Sequence, residues 1–323
     1  MERTSYFFCI ILSIYLLSGC SKKEEDPIKY KLGTFPDSVI NLGDINSQYD
    51  DYNLSGSSPV IFSSNRATQG GQFDLVQGDI SFTFDQTTGK FDFTSAVTND
   101  AFFASLIQKA TTLRNDFGPY RIFSNNDGYE YTIISSVNDQ GNLDLYYFRN
   151  RPKAGTAVPE IQGPFPVSIL NTASDDAYFC FDTNQDSAYF CSNRNGNFDI
   201  LLRNKPATVE HAAWFNQGFA ASAPVDSINS TGDDKCPMVY KKIMVFTSNR
   251  PGGLGGYDLY YSVFRKGKWG SPVNFGPGIN TSSDEYRPVL GYDQNFTNYF
   301  LMFSSNRPGG KGGFDLYFTG VKL

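Results

Sequence analysis

Four pairs of adjacent carboxylates are the residues of this chain best suited to chemistry. They are Asp50-Asp51, Asp175-Asp176, Asp233-Asp234 and Asp284-Glu285. Their oxygens could hold a divalent cation or be presented to a sugar, and hydrolysis of a glycosidic bond needs two differentiated carboxyls about 5–9 Å apart. Asp ahead of a strand also closes turns through its own backbone, which is the structural alternative. The first members, Asp50, Asp175, Asp233 and Asp284, are therefore the candidates for a ligand or ion site.

Other catalytic or metal-binding arrangements have little support. The one histidine, His211, has no cysteine or second histidine at ligand spacing, so neither a zinc site nor a Ser-His-Asp triad is expected. The G-G-x-G-G runs open no helix and are not phosphate loops. We expect no metal, no cofactor and no catalytic residue.

A hairpin motif repeated five times positions the carboxylate pairs. The clearest copies are S-N-R-P-G-G-L-G-G-Y-D-L-Y-Y from Ser248 and S-N-R-P-G-G-K-G-G-F-D-L-Y-F from Ser305. The anchor aspartates are Asp74, Asp144, Asp199, Asp258 and Asp315, and four copies carry an arginine, namely Arg66, Arg194, Arg250 and Arg307. A charged group repeated at one register usually fixes the repeat, here through bonds to turn amides and carbonyls. In the weak second copy, Tyr120-Arg121 is aligned with Tyr286-Arg287.

The repeat predicts an all-β propeller. Each unit of about 57 residues contains four short strands separated by Gly, Asn, Asp and Pro loops, as in a propeller blade. We predict five four-stranded blades over residues 30–323, with six possible if the insertion at 81–119 forms a degenerate blade. Residues 99–115 predict a short helix. The last unit lacks an outer strand and residues 35–42 supply a spare one, so the N-terminal strand should close the ring.

The hairpin and the preceding I-N-[ST]-x-x-D-[DE] loop together resemble the WD40-like repeat of TolB-type periplasmic propellers. The resemblance covers nearly all of the chain after its N-terminal segment and is most specific in the fourth and fifth copies. It implies a propeller of the bacterial envelope whose usual work is protein–protein contact. The peptidoglycan-binding domain that relatives carry has no counterpart here.

The N-terminus predicts a lipoprotein signal. Residues 6–17 form an apolar run too short to span a bilayer, and it ends in Leu17-Ser18-Gly19-Cys20, which resembles the bacterial lipobox. Residues 1–19 would be the signal peptide, Cys20 the lipidated residue, and 20–29 a tether with an acidic stretch similar to a surface-export tag. The expected location is the outer membrane, either surface-exposed or facing the periplasm.

Composition limits the partners. The chain has 323 residues, 27 Lys+Arg against 33 Asp+Glu, a net charge of -6 and no basic block, so a nucleic-acid partner is not expected. Cys180 and Cys191 flank a predicted hairpin and could form a disulfide, or be small buried apolar residues.

The leading functional expectation is a non-enzymatic, lipid-anchored binding or scaffold protein of the cell envelope with a protein partner. Its basis is a regular repeat without an irregular catalytic insertion. The alternatives are a cell-surface protein that binds glycans through its aromatic residues, and a propeller glycoside hydrolase using the carboxylate pairs.

Overall fold

Five antiparallel sheets make up the protein, as a computed structural model describing residues 28–56, 58–152 and 159–323 shows. The all-β, five-bladed propeller expected from the repeat is confirmed, and the 81–119 insertion forms no sixth blade in the described residues. Its residues instead lengthen the first blade, supply one helix and begin the second blade.

Each blade contains one copy of the repeat. The first blade consists of β2 (Asp51–Tyr52), β3 (Val60–Ser64), β4 (Asp74–Phe84) and β5 (Phe91–Val97). The second consists of β6 (Asp116–Phe123), β7 (Glu130–Val137), β8 (Leu143–Asn150) and β9 (Gln162–Pro166). The third consists of β10 (Asp176–Phe181), β11 (Ser187–Ser192), β12 (Asp199–Asn204) and β13 (Ala223–Pro224).

The last two blades differ at their outer edges. The fourth consists of β14 (Asp234–Tyr240), β15 (Ile243–Ser248) and β16 (Asp258–Arg265), whose edge is shared by β17 (Lys268–Trp269) and β18 (Val273–Asn274). The fifth consists of β19 (Glu285–Tyr292), β20 (Tyr299–Ser305) and β21 (Asp315–Val321), completed by β1 (Ile40–Asn41) from the other end of the chain.

The N-terminal strand closes the ring, as expected. Ile40 pairs with Phe318 and Asn41 with Tyr317 in antiparallel register. Phe35, just upstream, is buried and stacks on Phe296 with ring centroids 3.7 Å apart. The closure is thus stabilised by backbone hydrogen bonds and by burial of an aromatic ring. It also pairs the outer edge of β21, which would otherwise be open.

Two short α-helices connect blades. The predicted helix is present as α1 (Ala101–Ala110). The Asp100 side chain caps it by accepting the amides of Phe102 and Phe103, and the helix buries Phe103 and Leu106. The helix α2 (His211–Phe215) was not anticipated, because five residues are too few to show helical periodicity. None of the helices in the described residues is long and apolar enough to cross a membrane.

A bulge interrupts the register near the start of the inner strands of the second to fifth blades. The third residue of each of these strands has a left-handed backbone, as does Asn53 directly after β2 in the first blade; the four strand residues are Gly118, Tyr178, Cys236 and Arg287. Amides at this position donate to the neighbouring blade, for example Tyr178 N to Ser135 Oγ at 3.0 Å and Arg287 N to Thr247 Oγ1 at 3.1 Å. The bulge therefore ties adjacent blades together around the axis.

Candidate functional site

Four blades contain the same buried ion pair. The second residue of each carboxylate pair is fully buried and accepts hydrogen bonds from the repeat arginine. Arg66 Nη2 lies 2.6 Å from Asp51 Oδ1, and Arg250 Nη2 lies 2.5 Å from Asp234 Oδ1. The pairs Arg194–Asp176 and Arg307–Glu285 repeat the contact. Each ion pair joins the inner strand of its blade to the turn after the second strand.

The same guanidinium groups have two further contacts. Nη2 of Arg66 donates to the carbonyl of Ile45 at 2.7 Å, and Nη2 of Arg250 donates to that of Ile228 at 2.7 Å. The guanidinium also lies over an aromatic ring, 5.3 Å from the centroid of Phe62 in the first blade. Each of these four blades thus has a complete guanidinium site made of a carboxylate, a carbonyl and a ring.

The first members of the pairs lie at junctions between blades. Asp50 Oδ1 accepts the amide of Phe314 at 2.8 Å, and Asp284 Oδ1 accepts that of Tyr257 at 2.8 Å. Asp175 and Asp233 contact the preceding blade in the same way, through the amides of Leu143 and Phe198. Their other oxygens also accept hydrogen bonds, from Asn65, Asn193, Tyr257 and Asn306. In the described residues, no group of three or more His, Cys, Asp or Glu could hold a metal ion.

The second blade departs from this pattern. Asp116 pairs in register with Ser136, as Asp51 pairs with Ser64 and Asp234 with Ser248. The residue two positions after that serine is an arginine in the other blades and Asn138 here. The register also corrects the alignment of Tyr120-Arg121 with Tyr286-Arg287, because Phe117-Gly118 follows Asp116 in that place.

A cavity of about 480 Å³ occupies the position of the missing arginine. Ala110, Ile134 and Ser136 line it, and they correspond to Ile45, Phe62 and Ser64, which surround Arg66 in the first blade. The rest of the wall is formed by Thr112, Leu113, Arg114, Val137, Asn138, Asp139, Gln140, Asp144, Tyr146, Phe148 and Pro164. We call this cavity the second-blade pocket.

Asp116 lies behind the wall of the second-blade pocket. Its side chain is fully buried and accepts hydrogen bonds from the amide of Thr112 at 2.8 Å and from Thr112 Oγ1 at 3.3 Å. Among the ion pairs of the described residues, none involves Asp116. Burial raises the pKa of Asp116 to about 6, against the lowering effect of bonds from Ser136 and Thr112.

Asp144 belongs to the same pocket. Its Oδ2 accepts a hydrogen bond from Asn138 Nδ2 at 3.0 Å, while Oδ1 is buried with no partner among the described residues. Burial raises the pKa of this carboxyl above its usual value. The counterpart Asp258, by contrast, accepts turn amides from Leu254 at 2.6 Å and Gly255 at 3.1 Å, and Asp315 does the same in the fifth blade.

A third carboxylate lies at the rim of the pocket. Asp139 is 89% exposed, and its Oδ1 lies 2.8 Å from Nη2 of Arg114. The second-blade pocket thus contains one half-buried carboxyl, with one oxygen removed from water, and one in solvent that is paired with a cation. Carboxyls in such different environments are what two-carboxylate chemistry requires.

The remaining anchor aspartates have partners near the turns. Asp74 accepts from Gln72 Nε2 at 2.9 Å, and Asp199 from Asn197 Nδ2 at 3.5 Å. Glycines of the G-G-x-G-G turns are needed for close approach, since a Cβ on Gly255 or Gly312 would collide with the carbonyl oxygen of Ser283 or Tyr49 in the neighbouring blade.

Buried and partly buried side chains of different blades meet at the level of the bulges. Tyr52, Tyr178 and Tyr286 are packed together there, and Nη2 of Arg287 donates to the carbonyls of Gly118 and Pro119 at 3.4 and 3.3 Å. The lone histidine is also a core residue, since His211 is buried against Tyr131 and Phe181. Burial, with the nearby charge of Lys205, lowers the pKa of His211 to about 4.

Sequence reasoning missed the second-blade pocket because the second copy was treated as a weak match. The signal was present in the absence of an arginine two residues after Ser136 and in Asn115-Asp116 at the place of a carboxylate pair. Asn115 Oδ1 accepts the amide of Phe73 at 2.9 Å, as Asp50 accepts that of Phe314.

Two earlier expectations concern cysteines. Cys180, Cys191 and Cys236 are buried and free, and Cys180 pairs in register with Tyr189, so Cys191 does not lie opposite it. The signal peptide, Cys20 and most of the tether lie outside the described residues.

No protein-family model matches the chain, and no curated protein matches it. Its fold is similar to that of an endo-arabinase from Bacteroides thetaiotaomicron, with a TM-score of 0.50 and 11% identity over 90% of this chain and 98% of that one. The catalytic domain of a GH62 alpha-L-arabinofuranosidase from Coprinopsis cinerea gives a TM-score of 0.49 and 12% identity, again over 90% and 98% of the two chains.

These comparisons correct two expectations. The expected TolB-type family is wrong, because no family model matches the chain and the similar structure is an endo-arabinase rather than a TolB-type repeat protein. The hairpin motif holds blades together, which any propeller needs, and so it does not identify a family. The non-enzymatic expectation is contradicted as well, because the similar structure from Bacteroides thetaiotaomicron is named as an enzyme, an endo-arabinase. It rested on the regularity of the repeat, and the second blade breaks that regularity.

Proposed function

We propose that the chain is a glycoside hydrolase and that the second-blade pocket is its active site. The observation that carries this proposal is the presence of Asp144 and Asp139 in one pocket, where Asp144 is half-buried with its Oδ1 removed from water and Asp139 is exposed and ion-paired. The fold shared with an endo-arabinase supports the reaction class. The pocket volume lies within the usual range for small-ligand sites, roughly 300–1,000 Å³.

Asp144 would act as the general acid. Because burial raises its pKa, the carboxyl retains its proton at a higher pH than an exposed aspartate does. It would give that proton to the glycosidic oxygen as the bond to the anomeric carbon breaks. The hydrogen bond from Asn138 is accepted by Oδ2, so Oδ1, which has no partner in the described residues, would carry the proton.

Asp139 would be the second carboxylate. Its ion pair with Arg114 orients it at the rim, where water has access. There it would take a proton from water, whose hydroxyl adds to the anomeric carbon, and the products would be two shortened glycans. Tyr146 and Phe148 in the wall would contact the sugar ring.

Anchoring at the outer membrane is part of the same proposal. Lipidation at Cys20 would hold the enzyme at the envelope, where polysaccharides are met, and a protein partner there would act beside this activity. Replacing Cys20 with Ala in the full chain should move the protein from the membrane fraction to the soluble fraction. Retention of the variant in the membrane fraction would contradict the anchoring proposal.

The hydrolase proposal can be tested with purified protein lacking residues 1–20. Release of reducing ends would be measured from arabinan, xylan, galactan and deacetylated chitin. Asp144→Asn and Asp139→Asn should each reduce kcat about 100-fold or more. Asp92→Asn is the matched control, because Asp92 is an exposed carboxylate paired with Lys90 at 2.7 Å on the first blade. The proposal would be refuted if both pocket variants kept full turnover. It would also be refuted if the unaltered protein released no reducing ends from any of the polymers.

A further inference from the structure

We infer that the second-blade pocket binds a positively charged group, and that the substrate is a glycan carrying protonated amino sugars. The second part of this inference rests on the proposed hydrolase function. The first part rests on a comparison of the five blades within one chain.

The other four blades show what this position binds. In each, a guanidinium contacts a buried carboxylate of the inner strand. It also donates to the backbone carbonyl of the residue six positions before that carboxylate. The second blade keeps the carboxylate as Asp116 and the matching serine as Ser136, while the cation is missing. The pocket is therefore a cation site whose cation has to come from outside the blade.

The electrostatic balance of the pocket favours a cation. Its charged lining groups are Asp139, Asp144 and Arg114, with Asp116 behind Thr112 and Ser136. Arg114 forms an ion pair with Asp139 at the exposed rim. The buried carboxylate of Asp116 thus lacks a counter-ion, and a buried charge of this kind is stabilised strongly by a desolvated cationic partner.

Tyr146 places an aromatic ring in the wall of the pocket, at the position where a ring contacts the arginine in other blades. Tyr146 follows Asp144 by two residues, as Tyr260 follows Asp258 and Tyr317 follows Asp315. Arg250 lies 4.8 Å from the centroid of Tyr260, and Arg307 lies 4.9 Å from that of Tyr317. Tyr146 lines the second-blade pocket and would make the equivalent contact with a ligand ammonium group.

The pocket is larger than a guanidinium alone requires. At about 480 Å³ it has room for a sugar ring beside the charged group, and Phe148 and Pro164 supply apolar wall. A primary ammonium on the ring would lie against Ser136 and Thr112, on the side of the pocket behind which Asp116 is buried, while the glycosidic bond lies toward Asp144 and Asp139. Recognition and bond cleavage would thus use different carboxylates.

The test is calorimetric titration at pH 6.5 with glucosamine tetramer and, as the neutral control, N-acetylglucosamine tetramer. We expect the amine form to bind at least about tenfold more tightly. Asp116→Asn should remove most of this preference, and Asn138→Arg, which restores the arginine of the other blades, should abolish binding. Gln217→Arg adds the same charge at an exposed site on another blade and should leave binding unchanged.

Equal affinity for the two tetramers, or unchanged binding by Asn138→Arg, would overturn the inference. Circular dichroism melting of Asn138→Arg separates a filled pocket from a misfolded variant, because the filled pocket should melt at or above the temperature of the unaltered protein. Amine-selective binding without turnover would refute the hydrolase and leave cation recognition standing. Turnover of a neutral glycan without amine selectivity would refute only the inference.

Discussion

The side-chain amide of Asn138 donates to Asp144 at 3.0 Å, although the arginine at its position in the other four blades contacts the carboxylate of the inner strand. This change of partner leaves Asp116 buried without a cation. One substitution in a structural repeat therefore both opens a cavity and leaves a carboxylate with an unusual proton affinity. The pH dependence of the protein's stability reports that affinity.

Asp116→Asn should stabilise the protein above pH 6. The pKa of Asp116 is about 6 in the folded protein and 3.8 as a free group, so the folded state binds more protons between these values and loses stability as pH rises through them. The gain at pH 8 should be at most about 3 kcal/mol and should vanish below pH 4. Urea unfolding at pH 4, 6 and 8 checks this, and a variant that is less stable at pH 8 would contradict it.

Removing an arginine from an intact blade should have the opposite effect. Arg250→Asn reproduces the second-blade sequence in the fourth blade and leaves Asp234 buried without its partner. We expect a loss of about 3–5 kcal/mol in the free energy of unfolding at pH 7. Arg265→Asn, at an exposed position of the same blade, is the control. A loss equal to that of the control would show that the ion pair does not hold the blade.

His211 should make the protein less stable in acid. Its folded pKa of about 4 lies below the usual 6.5, so the unfolded state takes up the proton first and stability falls as pH drops from 6.5 towards 4. His211→Leu should be nearly neutral at pH 7 and more stable than the unaltered protein at pH 5. Chemical denaturation at the two pH values tests this, and an equal effect at both would count against it.

Ring closure should depend on Phe35. This side chain is 1% exposed and contacts Phe296, Phe82 and Phe318 with centroids 3.7, 4.9 and 5.7 Å away. Phe35→Ala should cost about 3–5 kcal/mol, and Phe219→Ala, at a ring that is 55% exposed, far less. Thermal melting of the two variants makes the comparison. Similar melting temperatures would show that the closure does not need this ring.

The fold followed from the sequence because a propeller repeats its own constraints. Five anchor aspartates predicted five blades, although the insertion at 81–119 left six possible, and the spare strand at residues 35–42 predicted the closure. The second-blade pocket was not predictable in the same way, because it results from a missing contact: Asn138 replaces the arginine that pairs with the inner-strand carboxylate in the other four blades. A correct register for Asp116 was needed first, and the shift of three residues in aligning Tyr120-Arg121 concealed it.

The closing strand also determines how the propeller carries mechanical load. A pull on the N-terminal end of the described chain first reaches the hydrogen bonds that the amides of Lys29 and Tyr30 donate to the carbonyl of Gln86, in the turn between β4 and β5, and only then reaches Phe35 and β1. The amide of Gly33 donates to the carbonyl of Asn295 at 2.7 Å, and that of Thr297 donates back to Gly33 at 2.9 Å, so the pull is shared with the loop before β20. If Cys20 holds the protein to a membrane, tension on that attachment would act first on the contacts of residues 29–31 with Gln86 and then as shear along the pairing of β1 with β21.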